Sequence, residues 1–180
     1  MAVFSVYTEP EVIKGFLTLE ECNTLINYNS EFCHDFFCPR AGTNVKVIHM
    51  LSGKIYSHEI SSILKKCSEK FTIHQENFEG IKVVKYTKGG FIPIHSDSCD
   101  QIPRTHTILM CLNENYEGGE TKFPNLNKQF KLNTGDILYF HNLDSYGNPT
   151  TLALHQGNVI KSGEKWIANL WVHKYPNLKL

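Results

Sequence analysis

The sequence predicts a mainly β domain with N-terminal helices, built as a sandwich or jelly roll with the helices packed on one side. Two observations lead there. Before residue 80 apolar residues recur at helical spacing, and after it about eight short β-rich runs follow one another, separated by turn residues. A third observation bears on the number of domains. Residues 1–180 contain no repeat, linker or low-complexity stretch, and are read as one domain with helical support over 1–79 and a β core over 80–175.

In the helical part, Thr18 and Glu21 have the spacing of a capping box, each side chain accepting from the other's backbone N–H. Cys22, Leu25 and Ile26 follow on one face. Ser57 is placed to cap a second helix whose Ile60, Ile63, Leu64, Cys67 and Phe71 fall at i, i+3, i+4, i+7 and i+11. Residues 34–53, between the helices, carry aromatic, Cys, Pro and Gly residues without a period. They read as a loop, with a strand around Val45–His49. Strands are expected near 81–86, 91–96, 105–113, 119–123, 128–132, 136–141, 151–160 and 165–173. Gly89-Gly90, Gly118-Gly119, Thr134-Gly135-Asp136, Gly147-Asn148-Pro149 and Ser162-Gly163 turn the chain between them.

Composition narrows the function classes. The apolar fraction of 41% is that of a globular domain. Eighteen basic residues balance eighteen acidic ones, so bulk positive charge does not recruit a nucleic acid. Thr8, Glu9 and Glu11 interrupt the N-terminus, and no stretch is long enough to span a bilayer. The six cysteines form no CxxC pair and read as free thiols, Cys33 and Cys38 included. A cytoplasmic protein without membrane or nucleic-acid partners is expected. Its oligomeric state is left open. Arg40 and Arg104 are its two arginines, a scarcity that points to a specific task for either.

The chemistry-bearing residues lie in the β half. On a strand, residues i and i+2 point to one side, so His95 and Asp97 in His95-Ser96-Asp97 can aim at one point. That pair alone is weak evidence. His155, in a later strand, completes two histidines and a carboxylate, the facial set that leaves iron positions open for co-substrate and oxygen. A structural zinc site would want four protein ligands, often thiolates. Ten residues on, Lys165 opens the last strand. Lys165, Ile167, Asn169 and Trp171 share one face, while Trp166, Ala168, Leu170 and Val172 share the other. The second face is core. The first reads as a pocket lining, and an inward lysine needs a partner such as a dicarboxylic co-substrate.

The segment from Tyr86 to Trp171 resembles the catalytic core of the prolyl 4-hydroxylases, a branch of the 2-oxoglutarate/Fe(II) oxygenases. The matching runs are Tyr86 nine residues ahead of His95, RTHTILMCLN from Arg104, EGGETKFP from Glu117, the TGD turn at Thr134, HQGNVIKSGEKW from His155, and Trp171. The resemblance covers about half the chain. It implies a double-stranded β-helix (jelly-roll) core with His95, Asp97 and His155 as iron ligands and Lys165 as partner of the distal 2-oxoglutarate carboxylate. It further implies Tyr86, Thr107 and Trp171 around the co-substrate, and Arg104 and Trp171 bordering a peptide substrate. The implied activity is hydroxylation of proline in a peptide or protein, with Fe(II), 2-oxoglutarate, O2 and ascorbate. Two departures stand out: Cys111, where some relatives carry a tyrosine whose hydroxyl helps to hold the distal carboxylate, and Val159, where proline is usual.

Other readings fit less well. A cupin-type isomerase would carry a His-x-His run, and a halogenase would lack the carboxylate that Asp97 supplies. Nucleic-acid demethylases place an arginine at a different spacing after the second histidine. An oxygenase acting on another residue or a small molecule, or a jelly-roll binding module without turnover, is left as the alternative.

Overall fold

The computed structural model describes residues 6–28, 34–36, 45–49, 57–99, 101 and 103–176. In chain order its elements are β1 (Glu11–Ile13), α1 (Leu19–Asn27), β2 (His34–Phe36), β3 (Val45–His49), α2 (His58–Phe71), β4 (Lys82–Tyr86), β5 (Ile92–His95), β6 (Arg104–Cys111), β7 (Tyr116–Gly118), β8 (Thr121–Phe123), β9 (Lys128–Phe130), β10 (Ile137–His141), β11 (His155–Gly157), β12 (Ile160–Gly163) and β13 (Lys165–His173).

Both helices begin where their capping residues stand. Thr18 Oγ1 accepts from Glu21 N at 3.1 Å and the Glu21 carboxylate accepts from Thr18 N at 2.7 Å. Ser57 Oγ accepts from Ile60 N. Helix α2 buries Ile60, Ile63, Leu64 and Cys67, as its spacing predicts. Each fully buried aliphatic side chain contributes about 1.5–3 kcal/mol.

Every strand pairing is antiparallel. A seven-stranded sheet runs β1-β10-β6-β13-β4-β3-β2, a four-stranded sheet runs β5-β11-β8-β9, and β12 pairs with β7. The helices cover one face of the large sheet, where Ile63, Leu64 and Cys67 join Val83, Ile108, Met110, Ala168, Leu170 and Val172 in one core. A second core, with Val84, Leu109, Phe123, Phe140 and Ile167, fills the space on the opposite face, between the sheets. The alternation read from β13 is what divides the two. This is the expected jelly roll, with helices on one side.

Two elements differ from the sequence reading. The strand expected over 151–160 is three pieces: a 3-10 turn at Thr151–Ala153, then β11, then β12. Thr150 Oγ1 caps the turn by accepting from Leu152 N, and Ala153 is buried there. The short strand β7 was not anticipated; Tyr116–Gly118 pairs with β12, far away in sequence. Most of the loop expected over residues 34–53, and Cys33 with it, lies outside the described residues, although the strand at Val45–His49 is present.

On the helix side of the large sheet, His106 and His141 are cross-strand partners, with rings 4.4 Å apart in an edge contact. Burial, and then the nearby His141, push His106 down to about 4 from 6.5. Below pH 6.5 the unfolded chain therefore takes up a proton there that the folded chain refuses until about pH 4, and stability falls with pH through that window. Urea unfolding should show the wild type losing more stability between pH 7 and pH 5 than His106→Gln does, by on the order of 1 kcal/mol. Equal losses would put the acid-labile group elsewhere.

Candidate active site

Strands β5 and β11 pair so that His95 and His155 are direct neighbours. Their ring nitrogens and the Asp97 carboxylate, from the turn after β5, all lie within 4.8 Å of one another. His95 Nε2 is 3.5 Å from Asp97 Oδ1, and His155 Nε2 is 3.7 Å from Asp97 Oδ2. Each histidine is held the same way. Nδ1 meets the carbonyl two residues earlier, Pro93 O at 2.9 Å and Ala153 O at 3.0 Å. A carbonyl only accepts, so Nδ1 carries the proton and Nε2 turns a lone pair toward the common point. Phe123 stacks on His155 and Phe140 meets its ring edge-on.

The donor set suits Fe(II): two imidazoles and one carboxylate, with no thiolate and no fourth protein ligand in the cluster among the described residues. Burial alone would raise the Asp97 carboxyl. When protonated, the neighbouring His155 and His95, together with the Thr107 hydroxyl, outweigh it and hold Asp97 well below the usual carboxylate range. Burial pushes His155 down, which favours the neutral ring that a metal needs.

A cavity of about 80 Å³ joins this cluster to Lys165. Val84, Leu109 and Ile167 form part of its apolar wall, and Tyr86, Thr107, Thr121, Asn169 and Trp171 also line it. Lys165 is 6% exposed and donates to Gly119 O at 2.5 Å, its one hydrogen-bond acceptor among the described residues. Burial lowers its pKa to about 8. Tyr86, its partner across β4 and β13, lies with its ring 5.7 Å from the ammonium.

The cavity thus holds His95, Asp97, His155, Lys165, Tyr86, Thr107 and Trp171, seven of the eight residues singled out in the sequence. The eighth, Arg104, stacks on Trp171 at 3.9 Å from its ring centre. It is held there by partners that sequence spacing did not reveal. Glu79 accepts from Arg104 Nε and Nη2, each at 2.8 Å, and also meets His173 Nε2. Arg104 Nη1 donates to the backbone carbonyl of Asp97 at 3.2 Å. Thr107 has a more definite task than lining the pocket, since its hydroxyl donates to Asp97 Oδ2 at 2.7 Å.

Cys111 is not among the lining residues; its thiol faces the Asn113 carbonyl and the Tyr116 hydroxyl. Thr121, buried on β8, lines the Lys165 region with a hydroxyl that has no protein partner among the described residues. It stands in the EGGET run and was passed over because a lone strand threonine carries no signal by itself.

A family model for the 2OG-Fe(II) oxygenase superfamily matches residues 81–173, which spans β4 to β13 and every residue of the metal cluster. The chain belongs to this superfamily. The oxygenase is 30% identical to the viral collagen prolyl hydroxylase of Paramecium bursaria Chlorella virus-1, whose structure was solved with 2OG. That likeness covers 92% of this chain and 96% of the viral one, with a TM-score of 0.74. It is 28% identical to a protein of Acanthamoeba polyphaga mimivirus provisionally named a prolyl 4-hydroxylase, over 92% of this chain and 74% of that one. A prolyl hydroxylase of Trichoplax adhaerens, solved with a hypoxia inducible factor peptide, shares the fold at a TM-score of 0.68 and 18% identity, over 91% and 83% of the two chains. The protein is therefore a 2-oxoglutarate-dependent dioxygenase of prolyl 4-hydroxylase type, using Fe(II), 2-oxoglutarate and O2.

Gly119 links fold and site. Its φ is +68°, and a Cβ there would meet Ile160 Cδ1 at 2.3 Å and Lys165 Cδ at 3.2 Å. Gly119→Ala should destabilise the oxygenase by about 1–3 kcal/mol. By displacing the Lys165 stem it should also weaken 2-oxoglutarate binding several-fold. Thermal unfolding and calorimetric titration check the two effects. Unchanged 2-oxoglutarate affinity in the folded variant would show that Gly119 does not position the lysine.

Proposed function

We propose that the oxygenase hydroxylates proline at C4 within an extended peptide or protein segment, with His95, Asp97 and His155 as the iron ligands. The observation that carries the reading is the two-ended cavity. Three metal-binding side chains meet at one end, and an ammonium without a carboxylate partner among the described residues waits at the other. Bound Fe(II) supplies the oxygen chemistry, in which one atom of O2 enters a substrate C–H bond and the other enters 2-oxoglutarate, which leaves as succinate and CO2. Ascorbate keeps the iron reduced.

The chain's own groups bind and orient. Lys165 and the Thr121 hydroxyl receive the far carboxylate of 2-oxoglutarate, a charge-assisted contact in a dry setting. Val84, Leu109 and Ile167 line the path between and keep water out. At the metal end, Arg104 and Trp171 form a flat stacked platform, and the buried Trp171 Nε1 has no acceptor among the described residues. A proline ring packs on such a surface, and a peptide carbonyl satisfies such a donor. Proline-rich segments are already extended, so they lose little entropy on binding. The names of the two viral relatives support proline as the target. The buried free thiols of Cys22, Cys67 and Cys111 support a reducing, cytoplasmic setting. Among the described residues no helix is long and apolar enough to cross a membrane.

Mass spectrometry of a proline-containing peptide panel, incubated with Fe(II), 2-oxoglutarate and ascorbate, should find an added oxygen on proline with matching succinate. His95→Ala, Asp97→Ala and His155→Ala should each abolish both products while keeping the wild-type circular dichroism spectrum. Oxygen found only on another residue or a small molecule would reject the prolyl assignment. No succinate from any substrate would leave a binding module.

Lys165 must be charged to hold a carboxylate, and its proton leaves near pH 8 when the cavity carries no ligand. The KM for 2-oxoglutarate should therefore rise about tenfold between pH 7 and pH 9. Lys165→Arg, charged throughout, should show a higher but flat KM. A flat wild-type profile would mean that the anchor is another group.

A further inference from the structure

We infer that Asn142, which touches neither metal nor ligand, is a positioning residue for the iron, acting through Thr107 on Asp97. The inference rests on the metal-ligand assignment proposed above. Asn142 follows β10 directly and is fully buried. Its backbone is tied on both sides, N to Thr105 O at 2.9 Å and O to Thr150 N at 3.3 Å. Its side-chain Nδ2 lies 3.0 Å from Thr107 Oγ1, and Thr107 Oγ1 lies 2.7 Å from Asp97 Oδ2.

The direction of each bond follows from the far end. A carboxylate that holds a metal is ionised and only accepts, so the one hydroxyl proton of Thr107 points at Asp97 Oδ2, 2.7 Å away. The hydroxyl oxygen can then only accept from Asn142, which fixes the amide with nitrogen toward Thr107 and its carbonyl Oδ1 away. That carbonyl finds no partner among the described residues. Buried unpaired polar atoms are uncommon and call for an explanation. Here the explanation is the amide's other end. The position keeps an unsatisfied carbonyl because the N–H opposite it is needed to hold the Thr107 proton on Asp97.

The consequence falls on the carboxylate. The Thr107 hydrogen bond occupies a lone pair of Oδ2, so the carboxylate cannot rotate freely, and Oδ1, 3.5 Å from His95 Nε2, is presented to the metal. Without Asn142 the Thr107 hydroxyl can turn its proton elsewhere, and the carboxylate loses its fixed rotamer. Groups that support a ligand in this way typically change metal affinity by about 10–100-fold.

The test titrates metal-stripped protein with Co(II), followed by its visible absorption, alongside thermal unfolding of the same metal-free samples. The wild type should bind one Co(II) and His95→Ala should not. Thr107→Val should bind about tenfold more weakly, while Thr107→Ser, which keeps the hydroxyl, should match the wild type. Asn142→Leu should lose the same factor as Thr107→Val without losing thermal stability, because it removes the unpaired carbonyl. Should the added bulk of leucine prevent folding, Asn142→Ala gives the same comparison. The double variant Thr107→Val/Asn142→Leu should be no weaker than Thr107→Val, since both act on one bond. Unchanged Co(II) affinity with lowered stability would make Asn142 a structural residue and overturn the relay. Losses that multiply in the double variant would also overturn it. A wild type that takes up no Co(II) would remove the metal site, and the relay with it.

Discussion

Taking an ammonium ion out of water costs several kcal/mol unless the protein replaces the solvent. Lys165 has been taken out of water with, among the described residues, a single carbonyl in return. Much of the architecture between the two sheets can be understood from that constraint. The carbonyl belongs to Gly119, in a left-handed conformation with no room for a side chain between Ile160 and the lysine stem. The rings of Tyr86 and Tyr116 stand 5.7 and 5.9 Å from the charge, close enough to stabilise it and too weak to neutralise it. What remains is a charge deficit in an apolar setting. A dianion such as 2-oxoglutarate corrects it, whereas a neutral molecule of the same shape leaves it unpaired.

The other end of the cavity poses the opposite problem, a buried carboxylate, and the solution is more elaborate. Asp97 is approached by two imidazoles, a hydroxyl on its Oδ2 and, at its backbone, the guanidinium of Arg104. Arg104 is neutralised by Glu79, which also meets His173, so the charges near the substrate side are paired with one another. If a peptide docks there as proposed, the platform made with Trp171 is already held by these pairs, and less ordering is left for binding.

Local rules made the helices and the last strand readable from sequence. The capping box at Thr18 and Glu21, the cap at Ser57 and the two faces of β13 all appear where spacing puts them. The residues of the candidate metal cluster were legible because His95 and Asp97 are two apart, and because the downstream runs that hold His155 and Lys165 match a known pattern. What escaped depends on pairing across the sheets. Strand β7 exists because β12 returns to it. Glu79 reaches Arg104 from 25 residues away, and Asn142 reaches Thr107 from 35. The side chains of Asn142 and Glu79 carry no periodicity, so only the folded register brings them to the site. The departure at Cys111 is likewise settled by its neighbours and not by its spacing, since its thiol meets the Asn113 carbonyl and the Tyr116 hydroxyl.

The proposed metal residues come from the small sheet and the turn after β5, while the proposed lysine anchor opens β13 of the large sheet. With the assignments proposed above, iron and 2-oxoglutarate together form a further cross-brace between two layers joined by apolar packing and by the hydrogen bonds of Thr107 and Arg104 to Asp97. A ligand that binds only the folded chain adds about 2.7 kcal/mol at a hundred times its dissociation constant. In a cell starved of iron or of this keto acid, that brace is missing, and the two layers separate more readily. The persistence of the protein, and not only its turnover, then becomes a gauge of metal supply and carbon metabolism.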